Sequence, residues 1–162
     1  MKLDVPVSVA PVSSGRIGAD TSVRTAHPGA STEARTLVAW KTLGWMQPTV
    51  LIVDDHPTFR SFARALLESE GFAVVGEAGS GATAIAAVDA LRPSIVLLDV
   101  QLPDLDGFEV AERLAGRPDA PAVVLVSTRS AAAYSARLEM TPACGFIPKT
   151  LLSGPALAAL VA

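Results

Sequence analysis

PTVLIVDDHP (Pro48–Pro57) sets the reading of the whole chain. Thr49 to Val53 is a continuous apolar, mostly β-branched run, too short for a core helix and apolar on both faces as a strand. Asp54, Asp55 and His56 end it, and Pro57 stands where proline suits the first turn of a helix. The same unit then recurs. Phe59, Phe62, Ala63, Leu66 and Leu67 fall at helical spacing before Gly71, and FAVVGE (Phe72–Glu77) reads as a second strand. Ser80 can cap a helix with Ile85, Val88 and Leu91 inward, ended by Arg92-Pro93. IVLLD (Ile95–Asp99) is a third strand, and Asp106-Gly107 opens a helix carrying Phe108, Ala111 and Leu114. AVVLV (Ala122–Val126) precedes an alanine-rich helix from about Ala131 to Leu138. GFIP (Gly145–Pro148) precedes a last helix capped by Ser153.

Five strands alternating with five helices predict an α/β fold with helices on both faces of a parallel sheet. Short links and right-handed crossovers give a flavodoxin-like, doubly wound five-stranded sheet of order 2-1-3-4-5. Pro148 fits an edge strand, which can lack one donor. A ligand of such a sheet lies beyond the carboxyl ends of the strands, between the first and third.

Composition limits the alternatives. Of 162 residues, 50% are hydrophobic and 18% charged, enough to build a core and too apolar for a disordered chain. The net charge of −3 argues against nucleic-acid or membrane binding driven by bulk charge. The single cysteine excludes an internal disulfide framework, and no run approaches the ~20 apolar residues of a membrane helix. A cytoplasmic protein is the expectation. Residues 1–45 carry +2 and the remainder −5, and the first part is broken by Pro6, Pro11, Gly15, Gly18, Pro28 and Gly29. The expected organisation is therefore a disordered or weakly ordered extension over 1–45 and one domain over 46–162. Thr36 to Trp45 has room for one or two amphipathic turns. It reads as part of a solvated tail, with a docking segment on Trp40 and Trp45, or an artefact of start-site choice, as the alternatives.

Three carboxylates stand at the predicted switch point: Asp54 and Asp55 after the first strand, and Asp99 ending the third. Singly, each could be a helix cap. Together they repel and raise one another's pKa, which calls for a bound cation. All-oxygen donors suit Mg²⁺, with Mn²⁺ an acceptable substitute. Ser127 ends the fourth strand and Lys149 closes the fifth, so a hydroxyl and an ammonium face the carboxylates and complete a phosphoryl pocket.

From Pro48 to Ala162 the residues resemble the receiver (phosphoacceptor) domain of two-component response regulators. The resemblance rests on VLIVDDHP (Val50–Pro57), LLDVQLPDLDG (Leu97–Gly107), VLVSTRS (Val124–Ser130) and GFIPK (Gly145–Lys149). Spacings agree as well, with Asp99 44 positions after Asp55 and Lys149 22 after Ser127. The resemblance implies Asp99 as phosphoacceptor, and Asp54, Asp55, Asp99 and the Gln101 main-chain carbonyl as metal ligands. It makes Ser127 the switch hydroxyl, and Lys149 the residue that grips the phosphoryl group. Phe146 stands at the switch-aromatic position, with plain core the equal alternative.

The function so implied is that of a stand-alone phosphorelay receiver. It would be phosphorylated by a sensor histidine kinase or phosphotransfer protein and act on a protein partner, or on a second copy of itself, through a surface around Ser127, Tyr134 and Phe146. It would be a switch and not an enzyme, beyond its own phosphorylation and dephosphorylation. A phosphorylation-independent adaptor, or a receiver whose DNA-binding effector domain is missing from this chain, are the alternatives. Departures from the pattern are Thr150 after the lysine, where many such domains have proline, and Pro142 and Cys144 ahead of Gly145. Cys144 is expected as a small buried hydrophobe and His56 as a polar loop residue. GEAGSGAT (Gly76–Thr83) lacks the lysine of a phosphate-binding loop, with Ala82 in its place. Asp99-Val100-Gln101 lacks the second carboxylate that dehalogenase-type phosphatases use.

Overall fold

The computed structural model describes residues 47–162. The readings made for residues 1–45, including the turns at Thr36 to Trp45, lie outside the described residues. The elements run β1 (Thr49–Val53), α1 (Pro57–Ser69), β2 (Ala73–Ala78), α2 (Gly81–Leu91), β3 (Ile95–Asp99), α3 (Gly107–Ala115) and β4 (Ala122–Ser127). A 3₁₀ turn (Ala131–Tyr134) then leads into the short α4 (Ser135–Leu138). β5 (Gly145–Pro148), a second 3₁₀ turn (Lys149–Leu151) and α5 (Gly154–Val161) complete the chain. All five strands are parallel in the order β2-β1-β3-β4-β5. The reversal of winding between β1 and β3 puts Asp54, Asp55 and Asp99 at one end of adjacent strands.

Strand alternation sorts the apolar residues into two layers. Leu51, Val53, Val96, Leu98, Val123 and Leu125 pack with Ala84 and Val88 of α2, and with Phe108, Ala111 and Leu114 of α3. Val50, Ile52, Ile95, Leu97, Val124 and Val126 pack with Ala63 and Leu67 of α1, and with Leu157 and Ala158 of α5. β3 is buried along its whole length, as expected of a central parallel strand.

Helix starts follow their caps. The Ser80 hydroxyl accepts from the Thr83 N–H at 3.2 Å, Asp106 accepts from the Phe108 N–H at 2.9 Å, and Ser153 accepts from the Ala156 N–H at 3.2 Å. Gly71, at φ 96°, takes the left-handed conformation that lets α1 turn into β2.

Several local expectations are corrected. β2 begins at Ala73, not Phe72, because the Phe72 N–H closes the end of α1 on the Leu67 carbonyl at 3.0 Å. Phe62 is 54% exposed, since the inward stripe of α1 runs through Ala63 and Leu67 with Phe59 and Leu66 beside it. Leu91, in the last turn of α2, is 44% exposed and lies against Gly76 at the sheet edge. The predicted alanine-rich helix is a 3₁₀ turn and a single α-helical turn. Its alanines are exposed, and only Tyr134 is buried there, with Leu138 half-buried beside it. Cys144 is exposed, in the turn entering β5, with only its N–H engaged on the Val123 carbonyl at 2.7 Å. Every described peptide bond is trans, including the one after Lys149.

Candidate functional site

The ends of β1, β3 and β5 converge on one acidic pocket. Asp54 is fully buried. Its Oδ1 accepts from the His56 N–H at 2.9 Å and lies 3.2 Å from His56 Nδ1. Its Oδ2 faces Lys149 Nζ as an ion pair, yet it accepts no well-formed hydrogen bond. Asp99 is 3% exposed. Its Oδ1 accepts from the Gln101 N–H at 3.2 Å and its Oδ2 from Lys149 Nζ at 3.0 Å. Asp55 points outward, half exposed, with Oδ1 2.7 Å from His56 Nδ1. One donor atom each from Asp54, Asp55, His56 and Asp99 can be chosen so that all lie within 4.8 Å of one another.

Charge in this pocket is not balanced. Burial pushes the Asp99 carboxyl above the ordinary aspartate range, and Asp54 adds to that rise. The Lys149 hydrogen bond and the Gln101 N–H oppose it without cancelling it. Burial would lower Lys149, but its ion pair with Asp54 and its hydrogen bond to Asp99 outweigh burial and raise it, so the ammonium is retained. One ammonium against three carboxylates leaves excess negative charge, and the buried Asp54 Oδ2, engaged by the Lys149 ion pair but by no well-formed hydrogen bond, keeps lone-pair capacity for a ligand. The residues present therefore fit a hard divalent cation.

Ser127 is also buried, but it does not bond Asp99. Its Oγ accepts from the Arg129 N–H at 3.2 Å and shares a hydrogen bond with Tyr134 Oη at 3.1 Å. Phe146 is half-buried, with its ring centroid 5.9 Å from that of Tyr134, which lies 5.8 Å from Phe108. These three rings form one row, from α3 through the β4–β5 connection to β5. Gln101 enters the pocket through its main chain, its side chain being exposed.

Three residues escaped the reading of the sequence, and a fourth, Tyr134, was placed on the output surface without its bond to Ser127. Phe59 lies under Lys149 Nζ at 4.6 Å from the ring centroid. Arg60 donates to the Asp54 carbonyl at 2.7 Å. Asp104 accepts from the Gly81 and Ala82 N–H groups at 2.7 and 2.9 Å, tying the loop after β3 to the start of α2. Tyr134 supplies the partner of the Ser127 hydroxyl. Phe59 and Arg60 had a signal, since the first turn of a helix after a strand-end carboxylate lies over the site; Asp104 and Tyr134 are set by tertiary placement.

Sheet order, buried carboxylates and lysine together define a flavodoxin-like α/β domain whose ligand end is built around an anionic pocket that fits a divalent cation. The response regulator receiver domain family matches residues 50–161, and the chain belongs to that family. It is therefore a receiver domain of two-component response regulators. Domains of this class generally lack catalytic turnover, work with a histidine kinase and bind Mg²⁺ at an acidic pocket, and the cluster of Asp54, Asp55 and Asp99 fits that pattern. Among curated relatives, a putative transcriptional regulator of Pseudomonas aeruginosa is 38% identical over 100 residues, covering 62% of this chain and 48% of that protein. The virulence-factor transcription regulator BvgA of Bordetella pertussis is 36% identical over 104 residues, covering 64% and 50%. The chain thus spans about half the length of the curated relatives it matches. Among solved structures, the signal receiver domain of the putative response regulator NarL from Mycobacterium tuberculosis has a TM-score of 0.63 at 32% identity. That match covers 72% of this chain and 98% of that one. None of the described helices is long and apolar enough to cross a membrane.

Proposed function

We propose that this receiver accepts a phosphoryl group on Asp99 from the phosphohistidine of a sensor histidine kinase or of a phosphotransfer protein. The observation that carries the reading is Lys149, whose ammonium bridges Asp54 and Asp99 at the mouth of the pocket. In the transfer, an Asp99 carboxylate oxygen attacks phosphorus in line. The phosphorus–nitrogen bond breaks with its electron pair going to the imidazole, leaving an acyl phosphate on Asp99 and a free histidine on the donor. Asp54, Asp55, Asp99 and the Gln101 main-chain carbonyl would hold Mg²⁺, or Mn²⁺ in its place, which supplies positive charge to the phosphoryl oxygens. Lys149 neutralises and orients the transferred oxygens, and Ser127 donates to one of them once its hydroxyl is turned into the pocket.

Phe146 packs on Tyr134 in the ring row, so its core role and any response to activation run through the same contact. Position 101 is a glutamine where dehalogenase-type phosphatases carry their second carboxylate. The chemistry therefore stays with the domain's own phosphorylation and dephosphorylation, and the output is a changed protein-binding surface, in the cytoplasm. A second reading is favoured by the length of the relatives: a receiver that controls a DNA-binding effector domain, with no nucleic-acid contact of its own.

Incubation with a small phosphodonor and Mg²⁺, followed by intact mass, tests the assignment. One phosphoryl group is expected, dependent on Mg²⁺ and absent from Asp99→Asn. Labelling that persists in that variant would place the acceptor elsewhere.

A further inference from the structure

We infer that Tyr134 is the positioning residue for the Ser127 hydroxyl, holding it away from Asp99 until a phosphoryl group competes for it. The inference rests on the proposed phosphorylation of Asp99. Strand alternation sets its geometry. Ser127 shares its face of the sheet with Val123 and Leu125, in the layer that contains Tyr134, whereas Asp99 follows Ile95 and Leu97 on the other face. At the strand ends each group has found a different neighbour. Asp99 bonds to Lys149 and the Gln101 N–H, while the Ser127 hydroxyl bonds to Tyr134 and the Arg129 N–H. To donate to an oxygen carried by Asp99, the hydroxyl has to leave the Tyr134 side.

That movement has a consequence for the segment after β4. Ala131, Ala132, Ala133, Ser135, Ala136 and Arg137 are exposed, and Met140 is 86% exposed. Tyr134 is the one buried residue between residues 128 and 140, with its ring between Phe108 and Phe146 and its hydroxyl on Ser127, and Leu138 packs half-buried against the same layer. Arg137 adds an exposed tether, with its guanidinium 4.0 Å over the Phe108 ring centroid and 2.8 Å from Asp106 Oδ2. Beyond Tyr134 and the half-buried Leu138, the short helical turns there bury no apolar side chain. Withdrawing the Ser127 hydroxyl leaves a buried phenol without its partner, a state that favours outward movement of Tyr134 and of the segment it anchors. Occupation of Asp99 is thus coupled to the conformation of residues 128–140 through a single hydroxyl pair, and the coupling is reciprocal.

The experiment uses the full chain with beryllofluoride and Mg²⁺ as the phosphoryl mimic. Binding is measured by calorimetry and the 128–140 region by hydrogen exchange. Tyr134→Phe keeps the ring and deletes only the bond of the unloaded state. It is expected to tighten beryllofluoride binding by about two- to twelvefold, the ratio equivalent to one neutral hydrogen bond. It is also expected to raise exchange over 128–140 before loading, towards the level of the loaded wild type. Ser127→Ala removes the same bond from the other side together with the Arg129 N–H bond, so without beryllofluoride it should raise exchange over 128–140 at least as much, and adding Tyr134→Phe to it should raise exchange no further. Unchanged or weaker binding by Tyr134→Phe overturns the inference, as does unchanged exchange in either variant. A Tyr134→Phe protein that failed to fold would leave Ser127→Ala to decide. A wild-type chain without Mg²⁺-dependent beryllofluoride binding would instead sink the proposed phosphorylation itself.

Discussion

Gly107 is the point at which the fold and the site depend on the same few atoms. It opens α3 and donates its N–H to the Val100 carbonyl at 2.9 Å, so the helix starts directly against the end of β3. A methyl group added there would lie 2.3 Å from the Asp99 carbonyl oxygen and 2.8 Å from Val100 Cα. Ordinary contact begins at 3.4 Å, so about 1.1 Å of extra separation is needed, and both obstacles are backbone. The backbone conformation is not the obstacle, because Gly71 alone among the described glycines has a positive φ. Relief must come from moving α3 or the end of β3. Overpacking of this kind costs about 1–3 kcal/mol. A displacement near 1 Å at a reacting group is worth about 100-fold in rate. Gly107→Ala is therefore expected to lower stability by about 2 kcal/mol in urea denaturation. Phosphorylation from a small donor at saturating Mg²⁺ is expected to slow by one to two orders of magnitude. Gly116→Ala is the control, since its nearest contact would be 4.0 Å away, and it should stay within about 0.5 kcal/mol of wild type at full rate. Wild-type stability and rate in Gly107→Ala would refute the claim that α3 and Asp99 share this contact.

Mg²⁺ should stabilise the folded chain by about 2.7 kcal/mol at a hundredfold excess over its dissociation constant. Thermal melts should lose that gain in Asp55→Ala, and an unshifted wild-type melt at millimolar Mg²⁺ would remove the metal site. Glu77 lies between Arg64 and Arg60, and the Arg64 hydrogen bond leads in holding its carboxyl below the ordinary value of 4.5. Its stabilisation is therefore complete above that value and lost as pH falls through the depressed one. Glu77→Gln should weaken the protein at pH 7, and the two denaturation curves should converge at lower pH; a constant gap would show that packing, not charge, is responsible. A chain beginning at Met46 should melt with the full-length protein and still accept phosphate at Asp99, whereas lower stability would assign residues 1–45 a structural part.

The strands were legible because central parallel strands are buried on both faces and leave an uninterrupted apolar run, as at Thr49–Val53 and Ile95–Asp99. Caps were legible because Ser80, Asp106 and Ser153 each satisfy a donor within the next three residues. The failures fall where a residue's place depends on something distant in sequence. Leu91 looks inward by period, yet it ends over the sheet edge at Gly76. The Ala131–Leu138 stretch looks helical by propensity, but propensity without an apolar face gives only short turns pinned by Tyr134.

The same division runs through the site. Asp54, Asp55, Asp99 and Lys149 could be brought together on paper because each stands at a strand end, and sheet order alone makes those ends neighbours. Ser127 was located by the same logic, but its orientation was not. Which way a hydroxyl turns depends on the best acceptor or donor in reach, and here that is a phenol seven residues further on, buried by rings from α3 and β5. A strand-end rule places the reacting atoms and stops there. The pairing that decides whether those atoms face each other belongs to the tertiary packing of a segment whose sequence offers only one large ring. That is why the three carboxylates and the lysine read as a pocket from the sequence, while the Ser127–Tyr134 bond, which sets whether that pocket is closed by its own hydroxyl, required the structure.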